Sequence, residues 1–152
     1  MVATVLSVAN ATKRFGGLVA VNNLSFDVHQ NEVMGIIGPN GSGKTTMMNL
    51  ISGALRVSEG SIGLNGRFIS TLTASQINQR GIARTFQLVR VLPGLGVLEN
   101  CMAGMVFGHR RLWGDQARYE AGKLIERVGL SGKEAVPVGS LTYIDQKRLE
   151  LA

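Results

Sequence analysis

The N-terminal third of the chain has the apolar pattern of β-structure. Residues 6–15 and 18–29 mix apolar residues with turn formers and predict two strands. Residues 32–38, EVMGIIG, hold a continuous apolar run instead of an alternating one. Such a run is typical of a strand buried on both faces in the middle of a parallel sheet. Farther along, residues 58–69, SEGSIGLNGRFI, predict a short hairpin with glycine-rich turns.

The remaining apolar positions mostly follow a helical period. Residues 47–52 predict a short helix that Gly53 closes. Residues 97–105, VLENCMAGM, have apolar residues at helical spacing, and residues 116–128 carry a clearer amphipathic stripe followed by Gly129. Both stripes are expected to face a core, although the methionines of the first would also suit an adaptable contact with another protein.

Two pairs of residues have the spacing of a helix capping box. Thr73 and Gln76 predict a helix of about two turns that runs to Gly81, and the next five residues, IARTF, predict a strand. Thr142 and Asp145 predict that a further helix begins within the last twelve residues, LTYIDQKRLELA.

Composition narrows the class of protein without naming a function. The 152 residues allow one domain, and 45% of them are hydrophobic. The sequence has no apolar stretch near the ~18 residues of a membrane span and no signal-peptide pattern. Its single cysteine, Cys101, excludes an internal disulfide and is expected to be a small core residue.

The chain is basic, with a net charge of +6, but its sixteen Lys and Arg are dispersed. No aromatic residues interleave with them as a nucleic-acid stacking surface requires, so no nucleic-acid partner is expected. The two histidines, His29 and His109, are expected to be surface residues.

One segment carries explicit chemistry. Gly38 to Thr45, GPNGSGKT, fits the G-x-x-x-x-G-K-[ST] phosphate-binding loop. Glycines let backbone N–H groups approach and wrap a polyphosphate, Lys44 can reach the β- and γ-phosphates, and the Thr45 hydroxyl can bind Mg²⁺. A helix beginning here would direct its N-terminal dipole at the same anion. The predicted nucleotide-binding residues of this loop are Gly38, Pro39, Asn40, Gly41, Ser42, Gly43, Lys44, Thr45 and Thr46.

Three further stretches, together with this loop, resemble the ATP-binding subunits of ABC transporters. KRFGG places Phe15 where that family has an aromatic residue that stacks on adenine, and IARTFQ places Gln87 at the Q-loop, which contacts Mg²⁺ and the attacking water. Taken alone, Phe15 could equally be a core residue and Gln87 a solvated loop residue. The terminal LTYIDQKRLELA lies where the family has its LSGGQ signature. The signature positions are Leu141, Thr142, Tyr143, Ile144 and Asp145.

The resemblance implies an α/β P-loop NTPase fold of the ABC type. Residues 1–152 would form part of one nucleotide-binding domain, with an N-terminal β-subdomain, a P-loop core and, at about 87–146, the Q-loop, helical subdomain and signature. It also implies ATP and Mg²⁺ as ligands and head-to-tail pairing with a second nucleotide-binding subunit. The chain would dock on membrane permease subunits and lie peripherally at the cytoplasmic face of the cell membrane. FGGLVAV, RTFQLVR, VLEN and QKRLELA look most like branched-chain amino-acid importers, and urea or amide importers share this style.

Two departures from the family pattern keep an alternative open. The family's Walker B Asp, catalytic Glu and switch His would follow the signature and are absent from these 152 residues, and with them the C-terminal part of the core sheet. The strand expected at 32–38 would then present an apolar edge. Ile144 and Asp145 stand where Gly and Gln are usual, so a bulky side chain and a carboxylate would oppose an incoming phosphate. An equally compatible interpretation of this turn is that Thr142 and Asp145 merely cap a helix. The alternative function, which the absent Walker B and the Ile144-Asp145 pair favour, is a truncated, non-catalytic nucleotide-binding fragment or decayed gene product without turnover.

Overall fold

The computed structural model of the chain describes residues 3–152, which divide into two compact units with the boundary along the sequence between Ile77 and Asn78. The predicted helical region, 87–146, lies within the second unit, and its assignment as a subdomain stays a prediction. Among the described residues, no helix has both the length and the apolar character needed to cross a bilayer.

The first unit is built on an antiparallel sheet. Strands β1 (Thr4–Phe15) and β2 (Leu18–His29) form a long hairpin, and β3 (Glu59–Leu64) and β4 (Arg67–Phe68) form a shorter one, in the order β2-β1-β3-β4. Helix α1 (Lys44–Ile51) packs against β2. The two predicted N-terminal strands, the predicted hairpin at 58–69 and the short helix are therefore confirmed. The core residues of this unit include Val8, Ala11, Val21, Met47, Leu50, Ile62, Leu64 and Ile69.

The segment before the phosphate-binding loop differs from the prediction. Residues 32–39 form no strand, and every residue from 31 to 40 is exposed, with Val33 99% and Ile37 96% accessible. A strand buried on both faces needs a paired strand on each side and a layer over each face. The described sheet supplies neither, because all its ladders are antiparallel and none includes this segment. The predicted buried parallel strand is therefore wrong for this chain.

Helix α2 (Ala74–Asn78) follows the sheet in the sequence and is shorter than predicted. Both halves of its capping box form: the Gln76 amide donates to Thr73 Oγ1 at 3.3 Å, and the Thr73 amide donates to Gln76 Oε1 at 2.9 Å. Residues 82–86 do not form the predicted strand. Their backbone has no partner in the ladders of the described sheet.

The second unit is a cluster of three helices, α3 (Val97–Phe107), α4 (Gly114–Arg127) and α5 (Tyr143–Leu151). All three were predicted, with α4 beginning two residues early and ending one residue early. Helix α3 contacts both α4 and α5, and the apolar stripes of α3 and α4 meet in one core. Its buried members are Val97, Cys101, Ala121, Ile125, Leu130, Val138 and Leu149. The core interpretation of the stripes, and of Cys101, is therefore confirmed.

Candidate functional site

The phosphate-binding loop lies between the exposed segment and the first turn of α1. Gly43 is the N-cap of α1 with φ +87°, and a side chain there would bring its Cβ to 2.3 Å from Ala20 O of β2. Only glycine permits this conformation and this close approach. The loop is thus held against β2 at one point, and it leads directly into a helix N-terminus, whose first N–H groups have no partner within the helix.

Lys44 organises the loop. Its Nζ atom donates to the carbonyl oxygens of Gly38 and Pro39, each at 2.7 Å. The Ser42 amide also donates to Pro39 O at 3.3 Å, so the loop curls back over the ammonium group. This arrangement places a cation among backbone groups at a helix N-terminus, which is the electrostatic requirement of a polyphosphate site.

A pocket of about 400 Å³ adjoins this loop. Its walls come from β2, including Val19 and Val21, and from Gly41, Lys44 and Met47. A larger cavity of about 500 Å³ lies in the second unit, lined by groups such as Cys101, Met105 and Glu150. Size alone favours the second, but the first contains the ammonium group of Lys44, which donates to two carbonyls of the glycine-rich loop, and a polyphosphate needs such a cation.

The residues that would contact Mg²⁺ and adenine are accessible. Thr45 is exposed in the first turn of α1, where its hydroxyl can meet a metal held by phosphates. Phe15 ends β1 with 45% of its surface exposed, which argues against a plain core role, and Lys13 Nζ lies 5.1 Å from its ring centroid. Gln87 is exposed in the second unit, in a segment without regular structure. The residues present therefore fit a magnesium nucleotide, though their roles stay predictions.

The terminal motif begins a helix as expected, but its carboxylate faces inward. The Asp145 amide donates to Thr142 Oγ1 at 3.2 Å, so Thr142 caps α5. The Asp145 side chain does not complete the capping box, since it pairs with Lys133 at 2.6 Å and Arg148 at 3.3 Å. The hydrogen bond from Lys133 has the largest effect on the pKa of Asp145 and lowers it, and burial, the next largest effect, opposes this. The hydrogen bond with Thr142 and the charges of Lys133 and Arg148 add further lowering, so the pKa lies below its usual value.

These contacts change the expected electrostatics of the signature. The prediction that Asp145 would oppose an incoming phosphate assumed an exposed carboxylate, whereas Asp145 is 6% exposed and paired with two cations. Ile144 and Tyr143 are the exposed residues of the first turn, at 65% and 60%. The obstruction predicted for Ile144 therefore remains, and the repulsion predicted for Asp145 is compensated locally.

The charged residues that bind Asp145 and Phe86 were not identified from the sequence. Lys133 lies in the turn after α4, far from any recognised pattern, so nothing local identified it as the partner of Asp145. Lys147 and Glu150 contact Phe86, next to Gln87. Their signal was present in the sequence as opposite charges three residues apart on a predicted helix.

The G-x-x-x-x-G-K-[ST] loop and the helix that begins at Lys44 are those of a P-loop NTPase. The family model described as ABC transporter matches residues 21–152. The chain belongs to the ABC transporter family, which confirms the resemblance drawn from its motifs.

The chain is similar to two curated ATP-binding proteins of branched-chain amino acid transport. The chain is 37% identical over 161 residues to the high-affinity branched-chain amino acid transport ATP-binding protein LivG of Salmonella typhimurium, covering 97% of this chain and 63% of that protein. It is 34% identical over 164 residues to the high-affinity branched-chain amino acid transport ATP-binding protein BraF of Pseudomonas aeruginosa, covering 97% of this chain and 63% of that protein. The chain thus spans 63% of the length of these curated relatives.

Solved structures agree on the fold. The ADP conformation of MJ1267, an ATP-binding cassette of an ABC transporter, superposes with a TM-score of 0.85 at 30% identity, covering 97% of this chain and 63% of that one. CbiO1 from Clostridium perfringens, part of the transporter complex cbiONQ, gives 0.82 at 23% identity over 98% of this chain and 60% of that one. The incomplete ABC-type α/β fold is therefore confirmed.

Proposed function

We propose that this chain binds MgATP as part of the ATP-binding subunit of an ABC importer for branched-chain amino acids. One observation supports the proposal most strongly: Lys44 Nζ lies within the glycine loop at the N-terminus of α1 and donates to the neutral carbonyls of Gly38 and Pro39, each 2.7 Å away. Phosphate oxygens are charged acceptors and bind an ammonium group more strongly than carbonyls do. The substrate class is taken from the printed names of LivG and BraF.

Each loop residue then has a physical task. Lys44 exchanges its contacts with Gly38 O and Pro39 O for contacts with the β- and γ-phosphates. Backbone N–H groups of residues 40–46 surround the same oxygens, and the Thr45 hydroxyl binds Mg²⁺. Bound Mg²⁺ supplies charge neutralisation between neighbouring phosphate oxygens. The exposed Phe15 ring offers a surface for the adenine base.

The remaining motifs imply work in an assembly. We infer that Gln87 contacts Mg²⁺ and responds to a membrane permease. Leu141, Thr142, Tyr143 and Ile144 would contact ATP held by a second nucleotide-binding subunit in a head-to-tail pair. Asp145, being paired with Lys133, would support this turn and would not repel the phosphate. Such an assembly is expected at the cytoplasmic face of the cell membrane, with this chain bound peripherally.

Equilibrium titration with MgATP tests the nucleotide site. We expect measurable binding by the natural chain and a loss of about 10- to 100-fold in affinity for Lys44→Ala, since hydrogen bonds to charged groups contribute about 1.5–3 kcal/mol. Lys123→Ala is the matched control, because this lysine is exposed on α4 and pairs only with groups of its own helix among its described contacts. Equal affinity in Lys44→Ala, or no binding by a folded natural chain, would contradict the proposal.

A further inference from the structure

One ion pair on α5 binds both backbone polar groups of Phe86. Lys147 Nζ donates to Phe86 O at 2.6 Å, and the Phe86 amide donates to Glu150 Oε1 at 2.9 Å. Lys147 and Glu150 also contact each other at 3.0 Å. Because the two side chains are three residues apart on a helix, they share one face and can reach the same peptide. We name this arrangement the Phe86 clamp.

The clamp is shielded from solvent. The Glu150 side chain is 7% exposed and that of Lys147 is 32% exposed. Burial alone would raise the pKa of Glu150, but the hydrogen bonds from the Phe86 amide and Lys147 outweigh it and lower the pKa. Glu150 is therefore ionised, and charge-assisted bonds of this kind are stronger than those of exposed ion pairs.

The segment that contains Phe86 depends on this clamp for its backbone contacts. Residues 82–90 form no helix and no strand, so Phe86 finds its hydrogen-bond partners on α5 instead of in a ladder. The Phe86 ring also lies 4.8 Å from the Arg84 guanidinium and 4.2 Å from that of Arg90. Phe86 is thus held by its backbone and by its ring, while the next residue, Gln87, is exposed.

The helix that carries the clamp also carries the signature. Thr142 caps α5, and Tyr143 and Ile144 form its exposed first turn, about two helical turns from Glu150. The nine-residue helix thus carries the signature positions at its N-terminal end and the residues that bind the Phe86 peptide near its C-terminal end.

We propose that Lys147 and Glu150 are positioning residues that fix the backbone of the Gln87 loop and couple it to the signature helix. This inference rests on the proposed role of Gln87 toward Mg²⁺. The pair touches neither nucleotide nor metal itself. Its loss should loosen residues 85–90 and weaken the part of ATP binding that depends on Mg²⁺, while ATP binding without Mg²⁺ stays unchanged.

Amide hydrogen exchange tests the mechanical half of the inference on the ligand-free chain. In Glu150→Ala, exchange at the Phe86 and Gln87 amides should accelerate about tenfold or more, since the acceptor of the Phe86 amide is gone. Glu150→Gln keeps an oxygen acceptor and should exchange at an intermediate rate. Lys123→Met is the control, since it breaks a comparable pair with Glu120, also 3.0 Å long, and should leave both amides unchanged. Natural exchange rates in Glu150→Ala would overturn the inference.

The ratio of ATP affinities with and without Mg²⁺ tests the functional half. Gln87→Ala and Glu150→Ala should each lower this ratio, and the double variant should lower it no further, because both changes disable one unit. A ratio that only Gln87→Ala lowers, or additive losses in the double variant, would overturn the coupling. An unchanged ratio in Gln87→Ala would refute the metal role on which the inference rests.

Two further outcomes remain interpretable. If Glu150→Ala does not fold, Lys147→Met and Glu150→Gln take its place, with Phe86 exchange and the Mg²⁺ ratio expected to change in the same directions; natural values in both variants would overturn the inference. If the natural chain binds no ATP, the proposed function fails, and with it the coupling, while the exchange experiment decides separately whether the clamp holds the loop.

Discussion

Adding a methyl group at Gly43 tests how the phosphate-binding loop is held. Gly43 and Gly41 both have positive φ, +87° and +83°, so alanine is strained at either position. Their surroundings differ. A Cβ at Gly43 would lie 2.3 Å from Ala20 O and 3.4 Å from Val21 Cγ2, whereas a Cβ at Gly41 would have no atom within 4 Å. The pair therefore separates backbone strain from steric contact with β2.

The expected magnitudes follow from these distances. Positive φ costs a non-glycine residue about 1–2 kcal/mol, partly offset by about 0.4–1 kcal/mol from the restricted unfolded chain. Gly41→Ala should therefore lower the free energy of unfolding by about 1 kcal/mol or less. Gly43→Ala carries the same strain and also displaces a backbone carbonyl, which typically adds about 1–3 kcal/mol. We expect it to cost about 2–4 kcal/mol in total.

The assay is urea unfolding followed by resolved amide signals of the first unit, such as those of the buried residues Val8 and Val21. Each variant is compared with the natural chain, and signals of the second unit, such as Ile125, serve as the internal reference. Equal losses in Gly41→Ala and Gly43→Ala would refute the reasoning, since the loop would then not be fixed by its approach to β2.

Two other groups give predictions that depend on their pKa. The pKa of Asp145 is lower in the folded chain than its unfolded value of about 3.9, so its ionised form stabilises the fold above that pH, and this contribution is lost as pH falls through the folded pKa. Lys133→Met should therefore make the free energy of unfolding in urea less sensitive to acid. Identical pH profiles of this free energy in the variant and the natural chain would count against the ion pair. Burial raises the pKa of Cys101 to about 11. Iodoacetamide at pH 8 should therefore alkylate it at least about a hundredfold more slowly than a small free thiol, and the difference should vanish in urea. Rapid alkylation of the folded chain would contradict the burial of Cys101.

Elements specified by local patterns were predicted well. The spacing of apolar residues located α3 and α4, and the capping residues Thr73 and Thr142 fixed the starts of two helices. The glycine-rich motif identified the loop because its chemistry needs glycine at set positions. Such features depend on residues within one or two turns of each other, so a single sequence contains the information.

Features that depend on distant residues were predicted poorly. The apolar run at 32–38 indicated burial, but burial requires neighbouring strands that the described residues do not supply. The extended residues before Gln87 looked like a strand, yet Phe86 bonds to side chains 61 and 64 residues away. Likewise, the predicted effect of the Asp145 charge on a phosphate did not include Lys133, twelve residues earlier, whose ammonium group binds the inward-facing carboxylate.

The central claim is that the loop around Lys44 wraps the phosphate chain of a nucleotide. The most direct measurement compares backbone amide chemical shifts of the chain on adding MgATP and on adding adenosine, which lacks phosphates. The account predicts that MgATP shifts the amides of residues 40–46 strongly and that adenosine leaves them unchanged. Equal shifts with both ligands, or MgATP shifts that avoid these amides, would contradict it.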